Sequence, residues 1–355
     1  MKANSKKCLS LLAALAMILA LIPVLMLPAA ATTQDDISAW IVQNDAAFKA
    51  GTNLPDTCPF CGETKVVWNA LESATGGVAE VKEAYHGYLP VGGVTMTGGG
   101  SALQTHAVSG KNTTYCLYLN GQSMTFDSRV RIRARAILNI FGDGTMTRTQ
   151  AKTGESMFAF SDSATLNIYG GTLINEDDDV PMIENLQFQK INVYGGKLTS
   201  RSIIEMKEGS MAVLGGEVNG DITLIGPVAG RAISLKLSGT PIISGTNGVS
   251  LRDGIVANIE GLESGASIKV SGKIGDVLTG VYENASQVAD CFNPGDGQKV
   301  QAQEDNTLKI VEGERVADVS DRETAGGPAA LWWLWVLLAA VVSGGAGFFL
   351  GKKMK

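Results

Sequence analysis

Apolar and polar residues alternate in short runs that end on glycine, and the run recurs along the chain. Leu138 and Ile140 precede Gly142, Leu166 and Ile168 precede Gly170, and Ile191 and Val193 precede Gly195. Met211 and Val213 precede Gly215, and Leu235 and Leu237 precede Gly239. A period of two puts one face of a short strand into a core. An apolar residue returns three positions after the glycine, at Leu173, Leu198, Val218 and Ile242. The glycine then marks a bend between two strands. A third apolar patch precedes most copies, as in "SMFAF", "PMIEN", "SIIEM" and "GVSLR".

With "LYLNG" at Gly121 taken as an earlier copy, the glycines up to Gly261 are spaced by 21, 28, 25, 20, 24 and 22 residues. "IKVSG" at Gly272 follows only 11 residues later. Three short strands per repeat predict one coil of an all-β, right-handed parallel β-helix. Each coil buries its inner face only by stacking on the next. A propeller blade takes about 40 residues, and the fixed Leu and Asn ladder of a leucine-rich repeat is missing. The solenoid is expected over residues 85–290.

The two ends read differently. Lys2, Lys6 and Lys7 precede a continuous apolar run from Cys8 to Pro28, followed by Ala29-Ala30-Ala31. This predicts a secretory signal peptide over residues 1–31. Leu331 to Leu350 carry no charge, and 20 residues of helix span about 30 Å, one hydrocarbon core. Trp332, Trp333 and Trp335 stand at its outer end and Lys352, Lys353 and Lys355 at the other. A single C-terminal transmembrane helix over 331–350 follows, with a cytoplasmic tail at 351–355 and the ectodomain outside the cell membrane. Residues 32–84 are expected to form an N-terminal cap region, where "DDISAWIVQNDAAFKAG" predicts a short helix over the first coil. Residues 291–330 are expected to hold a last strand, "TLKIVEG", and a polar juxtamembrane stalk. Six of the 29 basic residues sit at the two ends, which leaves 23 against 35 acidic ones, a net −12. Such a surface repels nucleic acid.

"YCLYLNGQSMTF" followed by "LNIFGDGTMT" resembles the opening coils of pectin-lyase-like β-helix domains in secreted surface proteins of Gram-positive gut bacteria. "CPFCGETKVVW" is similar to a CxxCG segment that often precedes those coils, and "HGYLP" loosely to a strand between them. The resemblance covers residues 58–200. It implies the fold and an adhesin-like cell-surface setting, and no activity.

Three groups of residues carry candidate chemistry. Cys58 and Cys61 form a knuckle that offers two thiolates to Zn²⁺, or closes as a disulfide outside the cell. Cys116, next to the inward Leu117, reads as a buried thiol. Asp177, Asp178 and Asp179 lie on a loop between coils and offer carboxylates to a hard cation such as Ca²⁺, with Arg201 and Glu205 one coil on. Phe141, Tyr169 and Tyr194 fall one residue before the glycine on successive coils, and Asn139, Asn167 and Asn192 fall three before it. Coils stack about 4.8 Å apart. An aromatic ladder beside an amide ladder suits sugar rings, with C–H faces on the aromatics and hydroxyls on the amides. The same ladder also serves self-stacking. The expected function is therefore binding or adhesion to polysaccharide or glycan. The alternatives are a lyase or hydrolase of this fold, or a passive scaffold. No Ser-His-Asp pattern, phosphate loop or cofactor fingerprint is present.

Overall fold

The alternation becomes three stacks of parallel strands. A computed structural model describes residues 33–60, 65–75, 79–81, 85–105, 112–149, 154–184, 189–225, 233–251, 257–278 and 285–313. The expected signal peptide, the transmembrane segment, the stalk beyond residue 313, Cys61 and His106 lie outside the described residues. Among the described residues, no helix is long and apolar enough to cross a membrane.

The first sheet has nine strands, from Trp68–Ala70 to Asn258–Leu262, each paired in parallel with the strand one coil away. Its inward positions line up as the repeat requires. Leu138, Leu166, Ile191, Met211 and Leu235 make one column, and Ile140, Ile168, Val193, Val213 and Leu237 another. All ten are buried. The second sheet stacks the strands that follow the glycine bend, with Met124, Met146, Leu173, Leu198 and Val218 inward. A third sheet of four strands ends at Phe158–Phe160. Beyond it, Ile183 bridges Phe158 to Ile204. The shorter coils then fuse two strands into one, Lys197–Met206 and Glu217–Leu224, with register shifts where the chain turns.

The bend belongs to the second glycine of each Gly-Gly pair. Gly171, Gly196 and Gly216 have φ of 80°, 80° and 77°. A Cβ on Gly196 would stand 2.6 Å from the carbonyl oxygen of Gly171, and one on Gly216 the same distance from Gly196. Left-handed backbone and the coil below both exclude a side chain there.

Four expectations need correction. The solenoid starts earlier than residue 85, because Trp68–Ala70 already pairs with His86–Tyr88. Ile243 and not Ile242 stands inward beside Val218, and the short step to "IKVSG" is a register slip, because Ser267–Ser271 pairs with Ile242–Ile243 in the second sheet. "LYLNG" is two residues out of step: Leu117 faces Ile140 and Tyr118 faces Phe141. The turn there is wider, with Asn120 and Gly121 both left-handed. Finally, the N-terminal helix does not close the end of the stack.

That helix, α1, spans Gln34–Ala50. Thr33 and Asp36 form a capping box at its start, and Gly51 ends it in the left-handed conformation. The hydrogen bonds from Thr33 hold the Asp36 carboxyl below its usual pKa. The buried face of α1, Ile37 and Phe48, lies against the outer side of the first sheet. At the other end, "TLKIVEG" does form a last strand. Leu308–Glu312 pairs antiparallel with Gln298–Ala302, and Leu308 and Ile310 plug the core.

Candidate functional site

Parallel register carries each outward position straight up the first sheet, so side chains two residues apart build neighbouring columns. One column reads Tyr88, Tyr118, Phe141 through register pairs, then Tyr169 and Tyr194 on the next two coils. The other reads His86, Cys116, Asn139, Asn167, Asn192.

The aromatic column is closed at one end and open at the other. Phe48 of α1 packs on Tyr88 and Tyr118 with ring centroids 5.2 and 4.7 Å away, and Trp40 reaches Phe141 at 5.8 Å. Phe60, on the strap after α1, wedges against Phe141 and Tyr169 at 4.9 and 4.6 Å. The N-terminal end of α1 stops here, where Gln34 Nε2 donates to the carbonyl of Tyr169 at 2.8 Å. Phe141 is wholly buried and Asn139 nearly so. Both point outward, as the period of two requires, but they support the site from behind α1. Tyr169 and Tyr194 stack at 4.5 Å with rings 3° from parallel, and Tyr194 is 37% exposed. The next coil offers Leu214 in line, so Tyr194 is the last ring. Phe60, Ile137, Asn139, Asn167, Tyr169 and Tyr194 line a groove of about 280 Å³.

The amide column is a hydrogen-bonded chain with one direction. Asn192 Nδ2 donates to Asn167 Oδ1 at 2.8 Å, and Asn167 Nδ2 to Asn139 Oδ1 at 2.8 Å. Asn139 Nδ2 then donates to Cys116 Sγ at 3.6 Å. Cys58, on the strap, lies over this column with its Sγ 3.3 Å from that of Cys116. Cys58, His86 and Cys116 bring their sulfurs and a ring nitrogen within 4.8 Å of one another, all buried. The expected partner of Cys58, Cys61, lies outside the described residues.

Burial pushes the Tyr118 phenol up to about 12, with Asp45 and Asp143 adding to it. Tyr169 is raised too, by burial first and Tyr194 second. A phenol whose folded pKa exceeds its unfolded value contributes stability that is complete below the unfolded value, about 10. That stability is lost as pH rises from there through about 12. In urea unfolding, the full chain is therefore expected to weaken over this alkaline range. Tyr118→Phe is expected to flatten the decline, and an identical decline in both chains would contradict the buried neutral phenol.

The acidic loop divides. Asp177 turns inward, 5% exposed, and its carboxylate faces Arg148 Nη2 at 3.5 Å. It also accepts from the Asp179 N–H at 3.0 Å. Asp177 is thus committed to the core and is not a ligand for a solvent cation. Asp178 and Asp179 stay exposed and line a second groove of about 410 Å³ with Arg201, Glu205, Asp221 and Asn247. Asp221 accepts from the Asn247 N–H and side-chain amide, both at 2.7 Å, and so caps a loop.

Phe60 and Trp40 escaped the sequence reading, and so did the pairing of His86 with Cys116. His86 and Cys116 stand 30 residues apart, and the two-residue slip at "LYLNG" hid their shared column. No family model, no curated protein and no solved structure matches the chain.

Proposed function

We propose that this chain is a membrane-anchored, cell-surface module that binds polysaccharide or glycan at the open end of its aromatic column. The observation that carries the reading is the stacked Tyr169–Tyr194 pair, ending in an exposed ring beside the Asn167 and Asn192 amides. A column serving only its own packing is covered throughout, as Tyr88 to Phe141 are. Here the cover stops one ring short, with Phe60 against Tyr169 and Tyr194 left exposed. A ring face takes the C–H face of a sugar, and an amide edge takes its hydroxyls. The expected signal peptide over residues 1–31 and transmembrane helix over 331–350 would supply the export and anchor that such a role needs, and the pectin-lyase-like resemblance fits the setting.

A second reading has its own observation. Asp178, Asp179, Glu205 and Arg201 reach one groove from neighbouring coils, which a lyase or hydrolase of acidic polysaccharide would use, with Ca²⁺ on the carboxylates. The binding reading is favoured because Asp178, Asp179, Arg201 and Glu205 are all exposed, where water solvates each charge.

A glycan array probed with the full chain tests both. A retained glycan is expected, weakened roughly fivefold by Tyr194→Ala, since one stacked ring is worth on the order of 1 kcal/mol. Unchanged binding in a folded Tyr194→Ala variant would remove the site. Release of soluble product with Ca²⁺, abolished by Asp178→Ala, would install the second reading instead.

A further inference from the structure

We propose that Cys58, His86 and Cys116 form a structural zinc site that pins the N-terminal strap and α1 to the side of the solenoid. The three ligands come from three separate stretches of chain. His86 and Cys116 are register partners on adjacent strands of the first sheet, and Cys58 descends on them from the strap. Two thiolates on one tetrahedral zinc, each about 2.3 Å from the ion, stand about 3.8 Å apart. The two sulfurs are 3.3 Å apart, and all three donors lie within 4.8 Å of one another. The S–S distance is thus about 0.5 Å from its zinc-bound value. Two sulfurs and an imidazole are a soft donor set that selects zinc over calcium or magnesium.

The surroundings suit a thiolate and a fixed imidazole. Asn139 donates its amide N–H to Cys116 Sγ, and Asn167 and Asn192 align that amide from behind. A donor aimed at the sulfur favours its ionised, metal-binding form. The Trp68 ring packs edge-on against His86 at 5.1 Å. Cys58, His86 and Cys116 are 6%, 1% and 1% exposed, so substrate has no access and the role is structural. The sequence places another thiol, Cys61, at the spacing by which knuckles give two sulfurs to one ion; the proposal stands on the three described residues. Zinc here would join the strap to two adjacent coils that share only short strands, His86–Tyr88 and Thr113–Tyr118.

The full chain purified without chelator is expected to carry one zinc per molecule by elemental analysis. X-ray absorption is expected to find sulfur at about 2.3 Å and nitrogen at about 2.0 Å. Cys116→Ser and His86→Ala are each expected to lose most of the metal, whereas Cys291→Ser keeps it. Absorption on the unmutated chain keeps the test decisive if those variants misfold. A chelator is expected to speed proteolysis within residues 33–60 before the coils beyond Thr113. A metal-free chain with a Cys58–Cys116 disulfide, a zinc ligated by oxygen alone, or full zinc content in a folded Cys116→Ser variant would each overturn the site.

Discussion

Ile168→Asp is expected to unfold the middle of the solenoid as a unit, at a cost of about 4 kcal/mol or more. Ile168 has no exposed surface and stands between Ile140 and Val193 in an inward column. A carboxylate there meets no cation and no hydrogen-bond donor from the column. Coils are stabilised by their neighbours, so the loss spreads along the stack. Urea unfolding followed by circular dichroism reads the effect. Ile242→Thr is the control, because Ile242 is 44% exposed and surface changes stay within about 0.5 kcal/mol. A tolerated Ile168→Asp would mean that the register is wrong.

The second large effect concerns a charge inside the core. Arg148 is wholly buried, in the inward column position held by Phe126 on the coil before and Asn175 on the coil after. Its Nη1 donates to Asn175 Oδ1 at 2.8 Å and its Nε to the Ser128 carbonyl at 3.2 Å. Burial lowers the Arg148 pKa, while Asp177 opposes the shift. Asn175 in turn donates to the carbonyl of Asp177 at 3.0 Å and to Ser200 Oγ at 3.3 Å. The network holds the start of the acidic loop against the second sheet. Arg148→Met leaves Asp177 buried without its counter-charge and is expected to cost about 3–5 kcal/mol. Adding Asp177→Asn removes the stranded charge and is expected to recover much of that loss. An Arg148→Met variant within about 1 kcal/mol of the parent would show that the pair is not desolvated as its burial implies.

What was legible in the sequence follows from what repeats. Inward columns recur every coil, so Ile140, Ile168 and Val193 declare themselves by period alone, and the outward Tyr and Asn ladders come with them. Features made once do not recur. Trp68–Ala70 is three residues long, too short for alternation to register. The amphipathic stretch of α1 was visible, but its docking surface was not: a helix period says which face is buried and not against what. Asp177 looked like its two neighbours because a run of three acids carries no sign of which one turns inward. Arg148 alone, at an inward position of a strand, was the available signal for that pairing. Cys116 was correctly expected to be buried beside an inward Leu117, but its neighbour His86 depended on a two-residue register slip.

The central claim is that α1 and Phe60 cover the aromatic column as far as Tyr169 and leave Tyr194 open for a glycan. Hydroxyl-radical footprinting of the full chain, with and without a glycan retained on the array, reads it residue by residue. Tyr194 is expected to be oxidised readily, Tyr88 and Tyr118 to be protected at 6% and 2% exposure, and the glycan to suppress labelling of Tyr194 specifically. Rapid labelling of Tyr118, or a Tyr194 signal that bound glycan leaves unchanged, would contradict the account.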